Sequence, residues 1–89
     1  MKYLDIKKGR IEGWYAPMYN CEAVEFANEI KQNCVEVQSR KGNGDTREYR
    51  YKDGTRFVLI YDADGDLSEI YAYNICGTND TDTIYYLKK

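Results

Sequence analysis

Tyrosines interleaved with arginine and lysine are the residues of this sequence best suited to molecular recognition. The chain contains ten tyrosines and no histidine in 89 residues. Tyrosine is enriched where proteins contact partners, because its ring and hydroxyl combine apolar area with hydrogen bonding. The absence of histidine removes the commonest general base and the commonest metal ligand. The sequence therefore favours a binding protein over an enzyme.

Four tyrosines are predicted to lie on one exposed sheet face. Tyr49 and Tyr51 are separated by one residue, as are Tyr71 and Tyr73, and side chains at alternate positions of a strand share a face. We expect this face to bind another protein together with the acidic residues of a neighbouring turn, which are Asp62, Asp64, Asp66 and Glu69. The alternative is that the tyrosines only pair across strands and stabilise the sheet.

Basic residues near the first tyrosine pair support a second hypothesis, binding of single-stranded nucleic acid or a nucleotide. Aromatic side chains on a sheet beside a basic groove bind single strands by stacking on the bases. The candidate residues are Arg47, Arg50, Lys52 and Arg56. The net charge of −2 argues against this hypothesis, because nucleic-acid-binding modules usually carry a basic excess.

Two Asp/Gly-rich segments resemble ligand-binding loops but lack the essential residues. The run at 62–66 has oxygen ligands at alternate positions, as an EF-hand calcium loop does. With Gly65 as the invariant glycine of such a loop, its first position is Ile60 and its twelfth is Tyr71. The segment at 42–45 lies between two predicted strands and is not part of the strand–GxxxxGK[ST]–helix pattern of a phosphate-binding loop. Both segments predict hairpin turns, and we expect no metal ion and no cofactor.

The cysteines and the hydropathy indicate a cytoplasmic protein without membrane contact. Cys21, Cys34 and Cys76 are an odd number in a short chain and do not form a disulfide framework. The first two bracket a predicted helix and lie about 20 Å apart along it, which is too far for a disulfide. No apolar run approaches the roughly 18–20 residues of a membrane-spanning helix, and residues 1–10 lack the apolar segment of a signal peptide.

One helix is predicted from Cys21 to about Asn33, after Asn20 as a favourable N-cap residue. Its apolar positions have the i, i+3, i+4, i+7 spacing of a single buried stripe and are Ala23, Phe26, Ala27 and Ile30. Strands are predicted near 34–40, 46–52, 57–61, 67–75 and 83–87, with two further candidates at 3–6 and 11–15. Turns are expected at 42–45, at 62–66 and at Asp53-Gly54, a favoured two-residue hairpin pair.

The predicted fold is therefore α+β and a single domain over residues 1–89. One amphipathic helix packs on a four- to five-stranded antiparallel meander sheet, in the order β-(β)-α-β-β-β-β(-β). This order resembles cystatin-like folds, in which an antiparallel sheet wraps one helix. The Gln-x-Val-x-Gly motif of cystatin inhibitors is absent from the sequence, so protease inhibition is not implied.

We expect a small cytoplasmic, non-catalytic protein that binds another protein, with a homo-oligomer as a further possibility. Its size and surface chemistry are typical of a regulator or inhibitor from a bacteriophage or mobile element, including an anti-defence protein that acts on its host. The origin follows from this general character rather than from any motif.

Overall fold

The computed structural model describes residue 4 and residues 20–42 and 44–86. In this part of the chain α1 (Asn20–Asn33) precedes five strands, which are β1 (Val35–Lys41), β2 (Asp45–Arg50), β3 (Arg56–Tyr61), β4 (Leu67–Tyr73) and β5 (Thr81–Tyr86). The strands form one antiparallel sheet in the order β1-β2-β3-β4-β5, so each strand pairs with the next along the chain. The predicted α+β architecture with a meander sheet is confirmed.

The two candidate strands at the N-terminus lie largely outside the described residues. The segment at 11–15 is outside them entirely. Of the segment at 3–6 only Leu4 is described, and it lies in a turn. Leu4 is fully buried and its backbone N–H donates to Glu29 Oε2 of α1 at 2.6 Å.

The helix packs on the sheet through the stripe that its spacing predicts. Ala23, Phe26, Ala27 and Ile30 are each at most 3% exposed. The Phe26 ring meets the Phe57 ring of β3 edge-on, with centroids 5.7 Å apart and an interplanar angle of 82°, the geometry that aromatic pairs prefer. No helix in the described part of the chain has the length and apolar character needed to cross a membrane.

Strand β3 is central, and its middle residues Phe57, Val58 and Leu59 are buried on both sides of the sheet. Phe57 and Leu59 join the core under α1, on what we call the helix face of the sheet. Val58 points to the opposite side, the open face, and is nevertheless only 2% exposed. Directly paired residues of antiparallel strands share a face. The register therefore assigns each of the remaining strand residues to one of these two faces.

The connection between β2 and β3 is longer than the two-residue hairpin predicted at Asp53-Gly54. It spans residues 51–55, with hydrogen bonds from Tyr51 N–H to the Thr55 carbonyl at 2.8 Å and from Gly54 N–H to the Tyr51 carbonyl at 3.0 Å. Gly54 has φ +96°, which glycine adopts without steric cost. Thr55 is fully buried, and its Oγ1 accepts a hydrogen bond from Cys76 N–H at 2.9 Å. These contacts anchor the loop and end β2 two residues before the predicted boundary.

Position 44 in the β1–β2 turn tolerates only glycine. A Cβ atom there would collide with the backbone carbonyl oxygen of Tyr61, which cannot move aside as a flexible side chain could. Gly44→Ala is therefore expected to lower the free energy of unfolding by about 1–3 kcal/mol, measured by urea denaturation. Gly42→Ala is the matched control, since nothing lies within 4 Å of a Cβ at that position. Equal stability of the two variants would contradict the close approach.

Candidate functional site

The four tyrosines of the predicted binding face are divided between the two sides of the sheet. Tyr49 pairs with Phe57 on the helix face and is 4% exposed. Tyr51 lies in the β2–β3 connection and is 5% exposed. Both are part of the hydrophobic core. Their expected place on an exposed face is therefore wrong: Tyr49 is paired with a core residue, and Tyr51 follows the end of the strand.

Tyr71 and Tyr73 do lie on the open face and are half-buried there. Tyr71 pairs with Val58, and Tyr73 pairs with Arg56, which in turn pairs with Arg50 of β2. The register gives the open face a mixed aromatic, basic and polar character. Its residues on the first four strands include Gln38, Arg40, Thr46, Glu48, Arg50, Arg56, Val58, Ile60, Glu69, Tyr71 and Tyr73.

Glu48 connects the aromatic and basic residues of the open face. Its Oε2 accepts a hydrogen bond from Arg56 Nη1 at 3.0 Å and one from the Tyr73 hydroxyl at 2.5 Å. The Glu48 side chain is 18% exposed, so this network is partly shielded from solvent. The hydrogen bond to the Glu48 carboxylate raises the pKa of Tyr73, because a phenolate there would face a second negative charge. The network holds these three side chains in one arrangement.

A shallow groove of about 180 Å³ crosses the open face beside this network. It is lined by Gln38, Arg40, Thr46, Glu48, Val58 and Tyr71. Small-molecule sites usually enclose about 300–1,000 Å³, so this groove is small for a metabolite. It has the size to receive one protruding side chain of a partner.

The four basic candidates do not form one groove. Arg50 and Arg56 lie on the open face, whereas Arg47 lies on the helix face, paired in register with Leu59. Arg47 Nε is 2.7 Å from Asp45 Oδ2, and this hydrogen bond raises the pKa of Arg47. Lys52 lies in the β2–β3 connection with its Nζ 5.7 Å from the centroid of the Tyr51 ring.

Arg47 belongs to a polar cluster at the rim of the helix face. Its Nη1 is 3.7 Å from Glu36 Oε1, and the same oxygen accepts a hydrogen bond from the Tyr49 hydroxyl at 3.3 Å. Burial raises the pKa of Tyr49, as expected when a phenolate would lose its hydration. The cluster explains how a tyrosine buried in the core satisfies its hydroxyl.

The acidic turn at 62–66 is a hairpin connection whose backbone is held by the side chain of Asp62. Asp62 Oδ1 accepts hydrogen bonds from the backbone N–H groups of Asp64 and Asp66, both at 3.0 Å, which is the usual role of aspartate in turns. Glu69 lies apart from the turn on the open face of β4, opposite Ile60. Nowhere in residues 20–42 and 44–86 do three His, Cys, Asp or Glu side chains form a group that could hold a metal ion.

The acidic turn and the open-face tyrosines lie at different ends of β4. The turn precedes Leu67, the first residue of the strand, and Tyr73 is its last residue. Six residues of extended chain span about 20 Å. The structure therefore groups Glu69 with Tyr71 and Tyr73 and separates Asp62, Asp64 and Asp66 from Tyr73.

Five further residues lie in the site although no sequence motif marks them, namely Gln38, Arg40, Thr46, Glu48 and Val58. Alternation along β2 does place Glu48 on the side opposite to Tyr49, and that signal could have identified it. The partners of Glu48 come from β3 and β4, and their alignment depends on the register between strands. That register pairs Val58 with both Glu48 and Tyr71 and places Arg56 opposite Tyr73, and it depends on how the core packs.

The hydrogen bond from Tyr73 to Glu48 predicts a pH-dependent contribution to stability. The pKa of Tyr73 is higher in the folded chain than its ordinary value of 10.0. The contribution is therefore complete below about pH 10 and is lost as the pH rises through the folded-state pKa. Tyr73→Phe should lower the free energy of unfolding by about 1–2 kcal/mol at neutral pH, and the difference should vanish at more alkaline pH.

Urea denaturation of both proteins across this pH range is the measurement. Tyr71→Phe is the control, because the structure shows no hydrogen bond from the Tyr71 hydroxyl to another described residue. A stability difference for Tyr73→Phe that stays constant with pH would contradict the assignment.

Comparisons with known proteins assign no family to the chain. No family model matches it, no curated protein matches it, and no solved structure matches it. The resemblance to cystatin-like folds is therefore a resemblance in element order alone.

Proposed function

We propose that this protein is a non-catalytic binding module that docks on another protein through the open face of its sheet. The observation that carries the proposal is that Tyr71 and Tyr73 lie on the open face together with Arg50 and Arg56. The shallow groove lined by Val58 and Tyr71 lies on the same face. They lie on a sheet face on which none of the described elements packs, because α1 covers the opposite face.

The composition of the open face supports protein binding. Tyrosine and arginine are enriched in the centres of protein interfaces, whereas lysine is depleted. Among its assigned residues on the first four strands, the open face carries three arginines, two tyrosines and no lysine. Threonine and glutamine supply polar contacts without a net charge. Residues of this kind at an interface centre commonly dominate the binding free energy.

The fixed geometry of the open face also supports docking. Tyr73 and Arg56 are already held by Glu48 in the free protein. A partner therefore meets side chains that have lost much of their rotamer freedom before binding, which reduces the entropic cost of association. The groove on this face adds a recess for one partner side chain, with Val58 and Tyr71 as its apolar part and four polar residues around them.

The charges of the open face favour a partner with acidic residues around an apolar one. The open face carries three positive charges, at Arg40, Arg50 and Arg56, and two negative charges, at Glu48 and Glu69. Glu48 is already paired with Arg56. Arg40 and Arg50 are exposed and have no ion pair with a described residue. Partner carboxylates opposite these two arginines would provide electrostatic complementarity.

The same charges disfavour the nucleic-acid hypothesis. A phosphate backbone crossing the open face would approach the carboxylates of Glu48 and Glu69, and the first of these already neutralises Arg56. Arg47 and Lys52 lie away from this face. Continuous basic grooves are typical of single-strand binders, and the open face lacks one.

The acidic turn, the role as an inhibitor, the origin from a bacteriophage or mobile element, self-association and the cytoplasmic location stay predictions of the sequence. The separation of Asp62, Asp64 and Asp66 from Tyr73 makes the turn a secondary contact at most in the proposed complex. The open face itself is the surface to test.

Selection from a displayed peptide library on the immobilised protein tests the proposal and does not require an identified partner. We expect enriched peptides to combine acidic residues with one large apolar residue. The double variant Tyr71→Ala/Arg50→Glu should bind these peptides about tenfold or more weakly, since truncated interface centres often cost about 2 kcal/mol or more. Isothermal titration with a synthetic peptide gives the affinities.

The matched control is Val24→Ala/Lys52→Glu, which alters an exposed apolar residue and a cation away from the open face. Its affinity should equal that of the unaltered protein. Peptides that bind the open-face double variant as tightly as the unaltered protein would refute the proposal, as would a selection without enrichment.

A salt titration separates the two hypotheses. Binding of a fluorescent single-stranded oligonucleotide, followed by anisotropy, should be undetectable or weak at low salt and should not depend on Tyr71. Tight binding that falls steeply with salt, with counterion release as the cause, and that requires Tyr71 and Arg50 would favour the nucleic-acid hypothesis instead.

A further inference from the structure

Strand β1 forms one edge of the sheet and is exposed to solvent along its whole length. It pairs with β2 on one side, and no described element pairs with its other side. All seven of its residues, Val35–Lys41, are exposed. Two of the three exposed large hydrophobic residues of the described chain lie on it, Val35 at 60% and Val37 at 40%. An edge of this kind presents unpaired backbone groups to which another strand can add.

The register identifies which backbone groups of β1 point to the free edge. Tyr51 N–H donates to the Thr55 carbonyl, so residue 51 directs its backbone groups toward β3. These directions alternate along an antiparallel strand, so the even-numbered residues of β2 direct theirs toward β1. Their register partners in β1 beyond the bulge are also even-numbered. Ser39 and Lys41 therefore direct their N–H and carbonyl groups away from β2, toward the free edge.

The free edge borders the surface proposed for docking. Gln38 and Arg40 lie on the open face and form the β1 side of its shallow groove. The Gln38 amide oxygen accepts hydrogen bonds from Arg40 Nε at 2.9 Å and Nη2 at 3.1 Å, in the amide orientation that satisfies these groups. Neighbouring strands lie about 4.8 Å apart, and their paired residues share a face. A strand added to β1 therefore places alternate side chains beside Arg40 and the groove.

The charge of the edge favours an acidic strand over a second copy of this chain. Arg40 and Lys41 are exposed at the end of β1, whereas Glu36, the carboxylate of this strand, lies 3.7 Å from Arg47. The bulge between Glu36 and Gln38 interrupts the ladder, so two paired copies of β1 would have to meet over residues 38–41. That pairing gathers the cations of both copies in one short ladder, and like charges across strands are destabilising.

We infer that the partner contributes an extended acidic segment that adds to the free edge of β1 as a further strand of the sheet. Its backbone pairs with Ser39 and Lys41, and its carboxylates lie beside Arg40 and Lys41. In strand addition the main-chain hydrogen bonds supply affinity and the alternate side chains supply selectivity. This mode of binding rests on the proposed function, and it specifies the backbone conformation and the charge of the docked segment.

Hydrogen exchange of the ¹⁵N-labelled protein, with and without the tightest synthetic peptide from the library selection, tests the strand addition. The amides of Ser39 and Lys41 should exchange about tenfold or more slowly in the complex, because each then donates to a peptide carbonyl. The amides of Gln38 and Arg40 point toward β2 and are the internal control, for which we expect a much smaller change.

Ser39→Pro removes an N–H group from the edge without removing a hydrogen bond between β1 and β2, and proline is tolerated at such edge positions. It should weaken peptide binding about tenfold or more, because a peptide carbonyl loses its donor. Isothermal titration measures the affinity. Ser39→Ala is the matched control, since it removes the same hydroxyl and keeps the N–H, and it should bind as the unaltered protein does.

The amide spectrum of each variant reports whether it is folded, and exchange in the unaltered protein decides the question if the proline variant is not. A peptide that requires Tyr71 and Arg50 but leaves the Ser39 and Lys41 amides in rapid exchange would overturn the strand addition and leave the proposed function standing. A selection without enrichment would overturn both. A dimer of the free chain that Ser39→Pro dissociates would show that a second copy occupies the edge, and the inference would then be wrong.

Discussion

The contact between α1 and the central strand β3 is the constraint on which the rest of the structure depends. Phe26 and Phe57 are both fully buried and meet edge-on, with Ile30 and Leu59 buried in the same core. Burial of a side chain of this size contributes about 1.5–3 kcal/mol to the free energy of unfolding. If β3 were turned so that Phe57 and Leu59 faced away from the helix, several such contributions would be lost. Because Phe57 and Leu59 face the helix, Val58 must face the other way. The pairing register with β3 then determines which residues of the neighbouring strands lie on each face.

This assignment of residues to the two faces explains why the two surfaces of the sheet differ in chemistry. On the helix face, Tyr49 lies opposite Phe57 and is drawn into the core, where Glu36 satisfies its hydroxyl. On the open face, Tyr73 lies opposite Arg56, and Glu48 binds both. The hydroxyls of these two tyrosines are thus each held by a glutamate from a different strand. These pairings tie the sheet together and at the same time orient the residues that a partner would contact.

The turns at one end of the sheet form a second place where chain segments meet closely. Gly44 lets the β1–β2 turn approach the Tyr61 carbonyl, and the Asp62 side chain closes the β3–β4 turn. This close approach brings Lys41, Asp45 and Tyr61 beside the C-terminal end of α1. The recess there is lined by both cations and carboxylates, and it shares strands but no residues with the groove on the open face.

Local sequence signals sufficed to predict the elements and their order. The spacing of Ala23, Phe26, Ala27 and Ile30 specified the helix and its buried side, and the Asp/Gly turns together with alternation located the strands to within about two residues. These signals are local, because helical and strand periodicities act over a few neighbouring residues. The bulge between Ile70 and Tyr71 and the anchored loop at 51–55 could not be predicted from local signals, because both depend on contacts with distant segments.

The exposure of each tyrosine, in contrast, depends on tertiary contacts. The pairs Tyr49–Tyr51 and Tyr71–Tyr73 have the same local spacing, yet the first pair is in the core and the second is on the open face. The two sides of a strand become different only when a helix covers one of them, and the register then assigns each residue to a side. The Glu48 network has the same origin, because it joins side chains of β2, β3 and β4 that only packing brings together.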